Sequence, residues 1–420
     1  MPLFSPKIES FGIDLSDFSI KISQVKKKGS SLFLTSIGEK FFQEGIIKDG
    51  VINKEREGDL VEIIKKTISE AKGKKIKTKN IICSLPEENA FIKTIQIPKV
   101  AKSEIREAIE FQLESNFPVK LNNVYFDFEI VDSSAIKKSK KIKKSREKIK
   151  KEDSLDVSVA VISKKVADSY VSVFKKAGLQ PMAFEIESMA VIRSLILNSF
   201  NLKPVMILDM GKGGTGVTIF SGKTILFTSH IGISGNDLDK IISKSLKIDI
   251  SEAEKMKKEI GLLSIKKIKK KSKEEIFSLP RFKVYRVPVT KEKELKNQKS
   301  AVAEIDLTKL EKADQVFEAL VPILTDLIEQ IRQHIQYFGG LRGLKYARGK
   351  ISKIIVCGGE ANLVGITDFI SSSLELPVET GNPFVNIQQS RLAKKILGSN
   401  LRRESISYAT AIGLAIRGAE

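Results

Sequence analysis

Apolar positions along the first ninety residues recur with a period of two and then with the spacing of a helix. Three alternating runs, at residues 10–15, 19–25 and 32–37, predict a β-meander. Apolar positions within residues 59–71 follow helical spacing, and the apolar run at residues 79–85 predicts a buried strand. The amino-terminal segment is therefore predicted to have the order β-β-β-α-β.

The order β-β-β-α begins a second time near the middle of the chain. Three strand-like apolar runs between residues 205 and 228 precede a helical pattern at residues 236–246. In both copies an aspartate stands at the end of the first strand, Asp14 in one and Asp209 in the other. The repeated order predicts an internal duplication.

A segment with a different pattern lies between the two copies. Its strands and helices follow the order β-α-β-β-α, and a stretch rich in Lys and Arg separates the last two strands. This arrangement predicts a small α+β insertion whose first helix begins at the N-cap residue Ser103. The predicted elements are strands at 91–97, 125–131 and 155–162, helices at 103–117 and 167–177, and a following helix at 188–200.

The carboxyl-terminal part combines a long helix with a strand that ends in two glycines. The helix covers residues 310–338, where Pro322 is a point of expected kinking. The strand at residues 351–357 runs into Gly358 and Gly359. The other predicted elements are helices at 252–261, 366–374 and 407–417 and a short strand at 377–380.

The stretch from Asp209 to Gly216 has the composition of a backbone-rich turn between two strands. Its glycines permit positive φ angles and close approach, so several N–H groups can point at one anion. A carboxylate at the start of the turn can hold a hydrated Mg²⁺. The stretch is either a nucleotide-phosphate site or a plain hairpin turn, and by itself it favours neither. Its spacing is not that of a P-loop.

The net charge of +21 is concentrated in two segments. Residues 137–151 contain ten Lys or Arg and one acid, and residues 255–299 contain sixteen Lys or Arg and five acids. The rest of the chain is close to neutral. Such segments are solvated loops, or they bind an anionic membrane surface, or they bind nucleic acid. The first segment contains no aromatic residue that could stack on a base, so nucleic acid is the least favoured partner.

The scarce Cys and His residues argue against disulfide, metal and triad chemistry. Cys83 and Cys357 each lie in an apolar run and are predicted to be buried free thiols of a reducing compartment. His230 and His334 are isolated from each other. We find neither an apolar run of 18 residues nor a signal-peptide pattern, so we expect a cytoplasmic protein.

The duplicated order, the two strand-end aspartates and the late Gly-Gly strand resemble the actin-like ATPase superfamily, which includes FtsA. The resemblance implies an α/β, ribonuclease H-like duplicated fold with two lobes around a nucleotide cleft. It identifies residues 12–19 and 209–216 with the phosphate loops and residues 356–361 with the adenosine motif. Glu187 matches the acidic residue that helps to position attacking water.

The resemblance also implies ATP and Mg²⁺ as ligands. Asp14 and Asp209 match residues that hold Mg²⁺ through water, and Glu254 and Lys257 match a pair that contacts the ribose. The implied nucleotide-binding residues are Asp14, Ser16, Asp17, Ser19, Lys21, Gly211, Lys212, Gly213, Gly214, Thr215, Gly235, Glu254, Lys257, Gly358, Gly359 and Glu360.

The first loop departs from the pattern of the superfamily at two positions. Ser16 replaces the usual glycine, and its side chain crowds the phosphate. Asp17 adds a second carboxylate, which repels phosphate unless Mg²⁺ intervenes. We therefore expect ATP binding with slow or no hydrolysis.

The likeness is closer to the PilM family of type IV pilus assembly proteins, and it extends essentially from end to end. It is carried by residues 85–88, 97–99, 104–118 and 381–384. The module after Glu87 also resembles the 1C subdomain of FtsA. The likeness implies a cytoplasmic, ATP-holding adaptor at the inner face of the membrane that works with the pilus assembly ATPase machinery, with self-association left open.

The PilM likeness further implies a partner, the short cytoplasmic tail of the membrane protein PilN. A peptide can lie along a sheet edge or in an apolar groove. The helix at 103–117 and the strand at 91–97 either form that groove or pack together as the core of the small module.

The subdomain boundaries follow from the same likeness. Subdomain 1A is formed by residues 1–86, 178–204 and the terminal helix in 397–420, and 1C by residues 87–177 with a disordered basic loop at 136–152. Subdomain 2A is formed by 205–250 and 350–396, and 2B by 251–349.

Two other function classes stay open. One is a phosphotransferase or ATPase enzyme on the same fold, although no cluster of substrate-binding polar residues stands out. The other is a nucleic-acid binder that uses the two basic segments.

Overall fold

A computed structural model describes residues 9–131, 154–197, 201–222, 224–262, 307–340, 349–398 and 401–420. The basic loop predicted at residues 136–152 lies outside the described residues. The same holds for the Lys-rich segment from residue 263 to residue 299. The predictions for these two segments therefore remain predictions.

The first half of the chain contains the predicted meander and the predicted α+β insertion. Its elements are β1 (Phe11–Leu15), β2 (Ser19–Lys28), β3 (Ser31–Phe41), β4 (Ile47–Lys48), β5 (Val51–Ile52), α1 (Glu57–Ser69), β6 (Lys72–Gly73), β7 (Asn80–Leu85), β8 (Ala90–Pro98), α2 (Ile105–Asn116), β9 (Val124–Ile130), β10 (Ser154–Ser163), α3 (Lys164–Lys176), β11 (Gln180–Ile186) and α4 (Glu187–Leu195).

The second half contains the second copy and the long helix. Its elements are β12 (Asn201–Met210), β13 (Thr215–Gly222), β14 (Thr224–Ile231), α5 (Gly235–Leu246), α6 (Ile250–Ile260), α7 (Leu307–Gly340), β15 (Lys353–Cys357), α8 (Ile366–Leu374), β16 (Val378–Thr380), α9 (Arg391–Leu397), α10 (Leu401–Ser405) and α11 (Ala409–Ala419). No described helix combines the length and the apolar character that a membrane crossing needs.

The strand order confirms the predicted duplication. One sheet has the order β11-β7-β1-β2-β3-β6, and the other contains β16-β15-β12-β13-β14. In the first sheet β1 pairs antiparallel with β2 and parallel with β7, while β7 pairs parallel with β11. In the second sheet β12, β13, β15 and β16 repeat these relations in the same order. The two lobes with these sheets form an actin-like fold.

The inserted module joins the second sheet at its edge. Strands β8, β10 and β9 extend that sheet beyond β14 through the residue pair Phe227 and Lys93. Helix α2 covers one face of these strands and buries Ile105, Ile109 and Leu113 there. The sequence predicted the module but not its link to the second copy, because cross-strand contacts between distant segments leave no local pattern.

The terminal helix α11 returns to the first lobe and packs on β1. Gly12 is required at this contact, since a Cβ there would collide with the backbone of Ala411 and Ala415. Gly413 on α11 likewise lies directly against the Ala190 backbone of α4. Small residues on these elements therefore allow two helices and a strand to approach closely.

The structure corrects three predicted helix boundaries. Helix α2 begins at Ile105 and not at Ser103, because Glu104 is the N-cap residue and its carboxylate accepts from the Ala101 N–H at 3.1 Å. Helix α4 ends at Leu195 and not at residue 200. Helix α11 begins at Ala409, after a 3-10 turn over residues 406–408.

Candidate functional site

A cavity of about 300 Å³ lies between the two lobes, where strands of both sheets end. The predicted site residues that line it are Asp14, Ser16, Asp17, Ser19, Lys21, Glu187, Asp209, Gly211, Lys212, Gly213, Gly214, Glu254, Gly358, Gly359 and Glu360. The fold thus brings together residues that are separated by more than four fifths of the chain.

Asp14 contributes a carboxylate from β1 to the floor of this cleft. Its side chain accepts a hydrogen bond from the Ser84 hydroxyl at 2.9 Å, and that hydroxyl accepts one from the Leu15 N–H at 3.2 Å. Burial raises the pKa of Asp14, whereas the Lys21 ammonium and the Ser84 hydrogen bond lower it. Residues on β7 and β2 therefore fix this carboxylate and compensate its charge in part.

Asp209 occupies the equivalent position at the end of β12. Burial, and then the charge of Asp14, raises the pKa of Asp209 to about 6. Side chains of Cys357 and Thr410 donate hydrogen bonds to it. Two carboxylates that face one cavity and raise each other's proton affinity form a favourable place for a cation.

The first loop is a tight turn between β1 and β2. The Ser16 N–H donates to the Ser19 carbonyl at 2.9 Å, and Lys21 Nζ donates to the Ser19 hydroxyl at 3.2 Å. The Asp17 carboxylate accepts from the backbone N–H groups of Asp49 at 2.7 Å and Gly50 at 2.9 Å. Asp17 therefore anchors the loop to the chain that follows β4, and its negative charge is already compensated by two donors.

The second loop joins β12 to β13 and rests on the amino terminus of α5. The Gly211 N–H donates to the Gly214 carbonyl at 2.8 Å. The Gly211 carbonyl accepts from the Gly235 N–H at 3.0 Å, and Ser234 with Asp237 forms a capping box at the start of α5. The start of α5 therefore supports the second loop on one side, and the other side of the loop lines the cavity.

The strand β15 reaches the cleft through a glycine with a positive φ angle. Gly358 has φ +82°, and a Cβ there would collide with the Asp209 carboxylate and the Met210 carbonyl. Only glycine combines this backbone conformation with such close approach. Gly359 is the first residue of the following 3-10 turn, and a Cβ at this position would meet no described atom within 4 Å.

Three predicted nucleotide-binding residues are not among the described residues that line the cavity. Thr215 is buried, and its hydroxyl donates to the Ile233 carbonyl at 2.8 Å. Gly235 supports the second loop from behind. Lys257 is 2% exposed, and its ammonium lies 3.0 Å from the Asp239 carboxylate and 2.9 Å from that of Glu360.

The direct ribose contact predicted for Lys257 is therefore replaced by a buried ion cluster. The neighbouring Lys258 lines the cavity instead and pairs with Glu254 at 2.7 Å. Lys212 of the second loop reaches the same Glu254 at 3.4 Å. Residues 257 and 258 both lie about one turn from residue 254, so the tertiary partners Asp239 and Glu360 decide that Lys257 is the buried one.

Glu187 is the first residue of α4 and lines the cavity. Burial raises the pKa of its carboxyl well above the usual range, and the charges of Glu88 and Asp14 add to the effect. A carboxyl group with a raised pKa is protonated over a wider pH range, so a smaller fraction of it is ionised and able to accept a proton from water.

Sequence reasoning missed an acidic group where the chain enters the inserted module. Glu87 is buried, and burial raises the pKa of its carboxyl to about 7. It accepts from the Ser188 N–H at 3.2 Å, while Glu88 lies 3.6 Å from His230 Nδ1. In the sequence, the one signal for this acidic group is that both acids closely follow the buried strand β7.

The described residues fit a hydrated cation better than a fully protein-ligated metal. Within them, no three His, Cys, Asp or Glu side chains group closely enough to ligate one ion. Asp14 and Asp209 nevertheless supply two oxygen donors on one cavity, which suits Mg²⁺ that keeps most of its waters. Cys83 and Cys357 are free and buried, as predicted, and burial raises the pKa of both thiols.

The peptide groove proposed between α2 and β8 is filled with side chains. Ile95 and Ile97 of β8 pack against Ile109 and Leu113 of α2 in one core. The outer face of α2 presents Phe111, which is 92% exposed. A small cavity of about 110 Å³ lies beside the carboxyl-terminal end of α2, and Phe91, Lys93, Asn116, Phe227 and Tyr337 are among its lining residues.

Two family models match the chain. The model described as type IV pilus assembly protein PilM matches residues 12–268, and the model described as cell division protein FtsA matches residues 206–413. No curated protein sequence matches it.

Among solved structures, the chain is similar to a PilM-PilN type IV pilus biogenesis complex, with a TM-score of 0.72 and 19% identity over 99% of this chain and 100% of that one. EutJ of Carboxydothermus hydrogenoformans has a TM-score of 0.49 and 13% identity over 99% and 91% of the two chains. MreB 5 of Spiroplasma citri, bound to AMPPNP, has a TM-score of 0.49 and 14% identity over 98% and 96%.

The similarity to the PilM structure extends over both lobes and the inserted module, in agreement with the fold described above. The PilM model covers more than half of the sequence, from the first loop to the end of α6. The chain therefore belongs to the family of type IV pilus assembly protein PilM.

Proposed function

We propose that this chain is an ATP-binding adaptor of type IV pilus assembly that binds the amino-terminal cytoplasmic tail of a PilN-like inner-membrane protein. The observation that carries the proposal is the pair of loops around Asp14 and Asp209 in a chain of the PilM family. Binding to such a tail would hold the adaptor at the inner face of the cytoplasmic membrane.

The cleft has groups suited to each part of Mg²⁺-ATP. Backbone N–H groups of residues 17–18 and 212–214 would hold the phosphates, and Lys21 and Lys212 add positive charge. Asp14 and Asp209 would hold waters of Mg²⁺, which neutralises phosphate charge. Glu254 and Lys258 would face the sugar, because both line the cavity beside the turn at residues 358–360.

Retention of ATP fits the cleft better than rapid turnover. Burial and the neighbouring acids raise the pKa of Glu187, which lowers the ionised fraction of the carboxyl that could accept a proton from water. The first loop keeps Ser16 where the superfamily has glycine, and the Ser16 hydroxyl is engaged with the Ser19 carbonyl at 3.2 Å. An adaptor needs the nucleotide to clamp two lobes together and does not need its hydrolysis.

The inserted module is the site that we propose for the tail. The space between α2 and β8 is closed by their shared core, so the tail would lie on the outer surface of the module. Phe91, which is exposed beside the small cavity, and Phe111 on α2 are among the apolar side chains that it presents. This surface is apart from the cleft, so nucleotide and tail can bind together.

Two titrations test the proposal. Calorimetry with ATP and Mg²⁺ should give saturable binding, and steady-state assays should give slow phosphate release. A synthetic tail peptide from a co-encoded single-span protein should bind the wild type, and Phe91→Ser and Phe111→Ser together should weaken its binding, while Tyr125→Ser, also exposed on the module, serves as the control. Fast turnover without peptide binding would exclude the adaptor and favour an enzyme.

A further inference from the structure

A buried ammonium behind the cleft connects three separate segments. Lys257 of α6 is 2% exposed, and its Nζ donates to the Gly235 carbonyl at 2.9 Å. The same atom lies 3.0 Å from Asp239 Oδ1 and 2.9 Å from Glu360 Oε1. A lysine that is this deeply buried requires charged partners, and here it has two carboxylates and one carbonyl.

The three partners belong to elements that form two sides of the cavity. Gly235 and Asp239 lie in the first turns of α5, whose amino terminus supports the second loop through Gly211. Glu360 lies in the 3-10 turn that follows Gly358 and lines the cavity. The Lys257 ammonium thus connects α5, which supports the second loop, to the turn at residues 359–362.

We propose that Lys257 is a positioning residue that sets the turn at residues 359–362 against α5 and so shapes the nucleotide cleft without touching the nucleotide. This inference rests on the proposed binding of ATP. It differs from a direct ribose contact, because Lys257 is not among the described residues that line the cavity, whereas Lys258 is.

Electrostatic repulsion supplies the physical reason. Asp239 is 1% exposed, and the Lys257 ammonium, 3.0 Å from its Oδ1, compensates its charge. Without Lys257, Asp239 and Glu360 would be two buried carboxylates without a cation between them. Their repulsion would push the Glu360 side of the turn away from α5, whose start is fixed by its capping box.

The packing at Gly235 leads to the same conclusion by a different route. A Cβ at Gly235 would collide with the Glu360 carboxylate. The turn is therefore seated directly on the first residue of α5. A side chain at position 235 that displaces Glu360 should therefore move the turn in the same direction as the loss of Lys257 does.

Four variants of the full chain test the inference. Lys257→Met should weaken ATP binding roughly tenfold in calorimetry, and Lys255→Met, on the exposed face of the same helix, should leave it unchanged. Adding Glu360→Gln to Lys257→Met should restore most of the affinity, because one unpaired buried charge is removed. Gly235→Ala should weaken binding without removing a charge.

The outcomes separate this inference from the proposed function. If Lys257 contacts the nucleotide directly, Glu360→Gln cannot restore binding, and that result overturns the inference. If the wild type itself binds no ATP, the proposed function fails. Hydrogen exchange of the nucleotide-free proteins then decides about Lys257, since faster exchange at residues 359–362 in Lys257→Met but not in Lys255→Met is expected, and equal exchange contradicts it.

Discussion

At the scale of single residues, the cleft is a place where acidic groups are kept close together and partly desolvated. The pKa of Asp209 is raised to about 6 and that of Glu87 to about 7, in both cases chiefly by burial. Such clustering costs stability in the nucleotide-free protein and creates an affinity for a cation. The acidic residues that cost stability in the nucleotide-free cleft are therefore also those that we expect to bind Mg²⁺.

Asp209→Asn should stabilise the nucleotide-free protein in a pH-dependent way. The folded-state pKa of Asp209 lies above its ordinary value of 3.8, so its contribution to stability is present below that value and is lost as pH rises through about 6. Between about pH 4 and pH 7 the wild type should lose roughly 2 kcal/mol relative to the variant. Urea unfolding across this range measures the difference. Asp368→Asn, an exposed change, should give parallel pH profiles.

Gly358→Ala should be strongly destabilising. The new methyl group would combine a strained φ of +82° with a collision against the Asp209 carboxylate. We expect a loss of about 2 kcal/mol or more in the free energy of unfolding. Denaturant unfolding at neutral pH measures it. Gly359→Ala, where a Cβ meets no described atom, should change this free energy little, and equal losses for both would contradict the argument.

At the scale of elements, the ends of helices are decided by side chains from distant parts of the chain. Helix α4 stops at Leu195 although the apolar pattern continues beyond it. The Asn386 amide donates to the Arg193 carbonyl at 2.9 Å and to the Ile196 carbonyl at 2.7 Å. These bonds satisfy carbonyls that have no partner at a helix end, so the chain can turn towards β12.

Asn386→Ala should remove this cap. Two carbonyl groups at the end of α4 would lose their donor, and we expect a cost of about 1–2 kcal/mol in the free energy of unfolding. Chemical denaturation of the variant measures this cost. Gln389→Ala, which changes an exposed amide in the same segment, is the control, and a comparable loss there would show that the segment as a whole is sensitive.

At the scale of the whole molecule, the cleft is assembled from both copies of the duplicated unit and from two long returns of the chain. Strand β15 enters the second sheet beside β12, and α11 crosses back to the first lobe beside β1. A ligand bound between Asp14 and Asp209 would contact both lobes at once. Binding should therefore stabilise the molecule as one unit.

Mg²⁺-ATP should raise the melting temperature in proportion to the logarithm of its concentration. A ligand that binds only the folded state adds about 2.7 kcal/mol at a hundredfold excess over its dissociation constant. Scanning fluorimetry with ATP, with and without EDTA, measures the shift. Asp14→Asn combined with Asp209→Asn should make the shift independent of Mg²⁺, and an unchanged EDTA effect in that variant would contradict the assigned role of the two aspartates.

Local patterns were sufficient for the elements and for the glycine loops. Alternation predicted β1 to β3, helical spacing predicted α5 and α6, and strand-end aspartates indicated the duplication that the sheet order confirms. These features depend on neighbours in sequence, so they can be read without the fold. The orientation of Lys257, by contrast, depends on which turn of α6 faces the turn after β15.

The sequence by itself determined the family-level architecture of this protein, because a repeated order of strands and helices with glycine-rich turns admits few folds. Tertiary structure alone decided which of its charged residues face the cavity. In the folded protein Lys257 is buried in an ion cluster, whereas Lys258 lines the cavity. The Asp17 carboxylate accepts a hydrogen bond from the backbone, and Glu87 and Glu88 line the cleft. The physical reason is that burial and charge compensation arise between segments far apart in the chain.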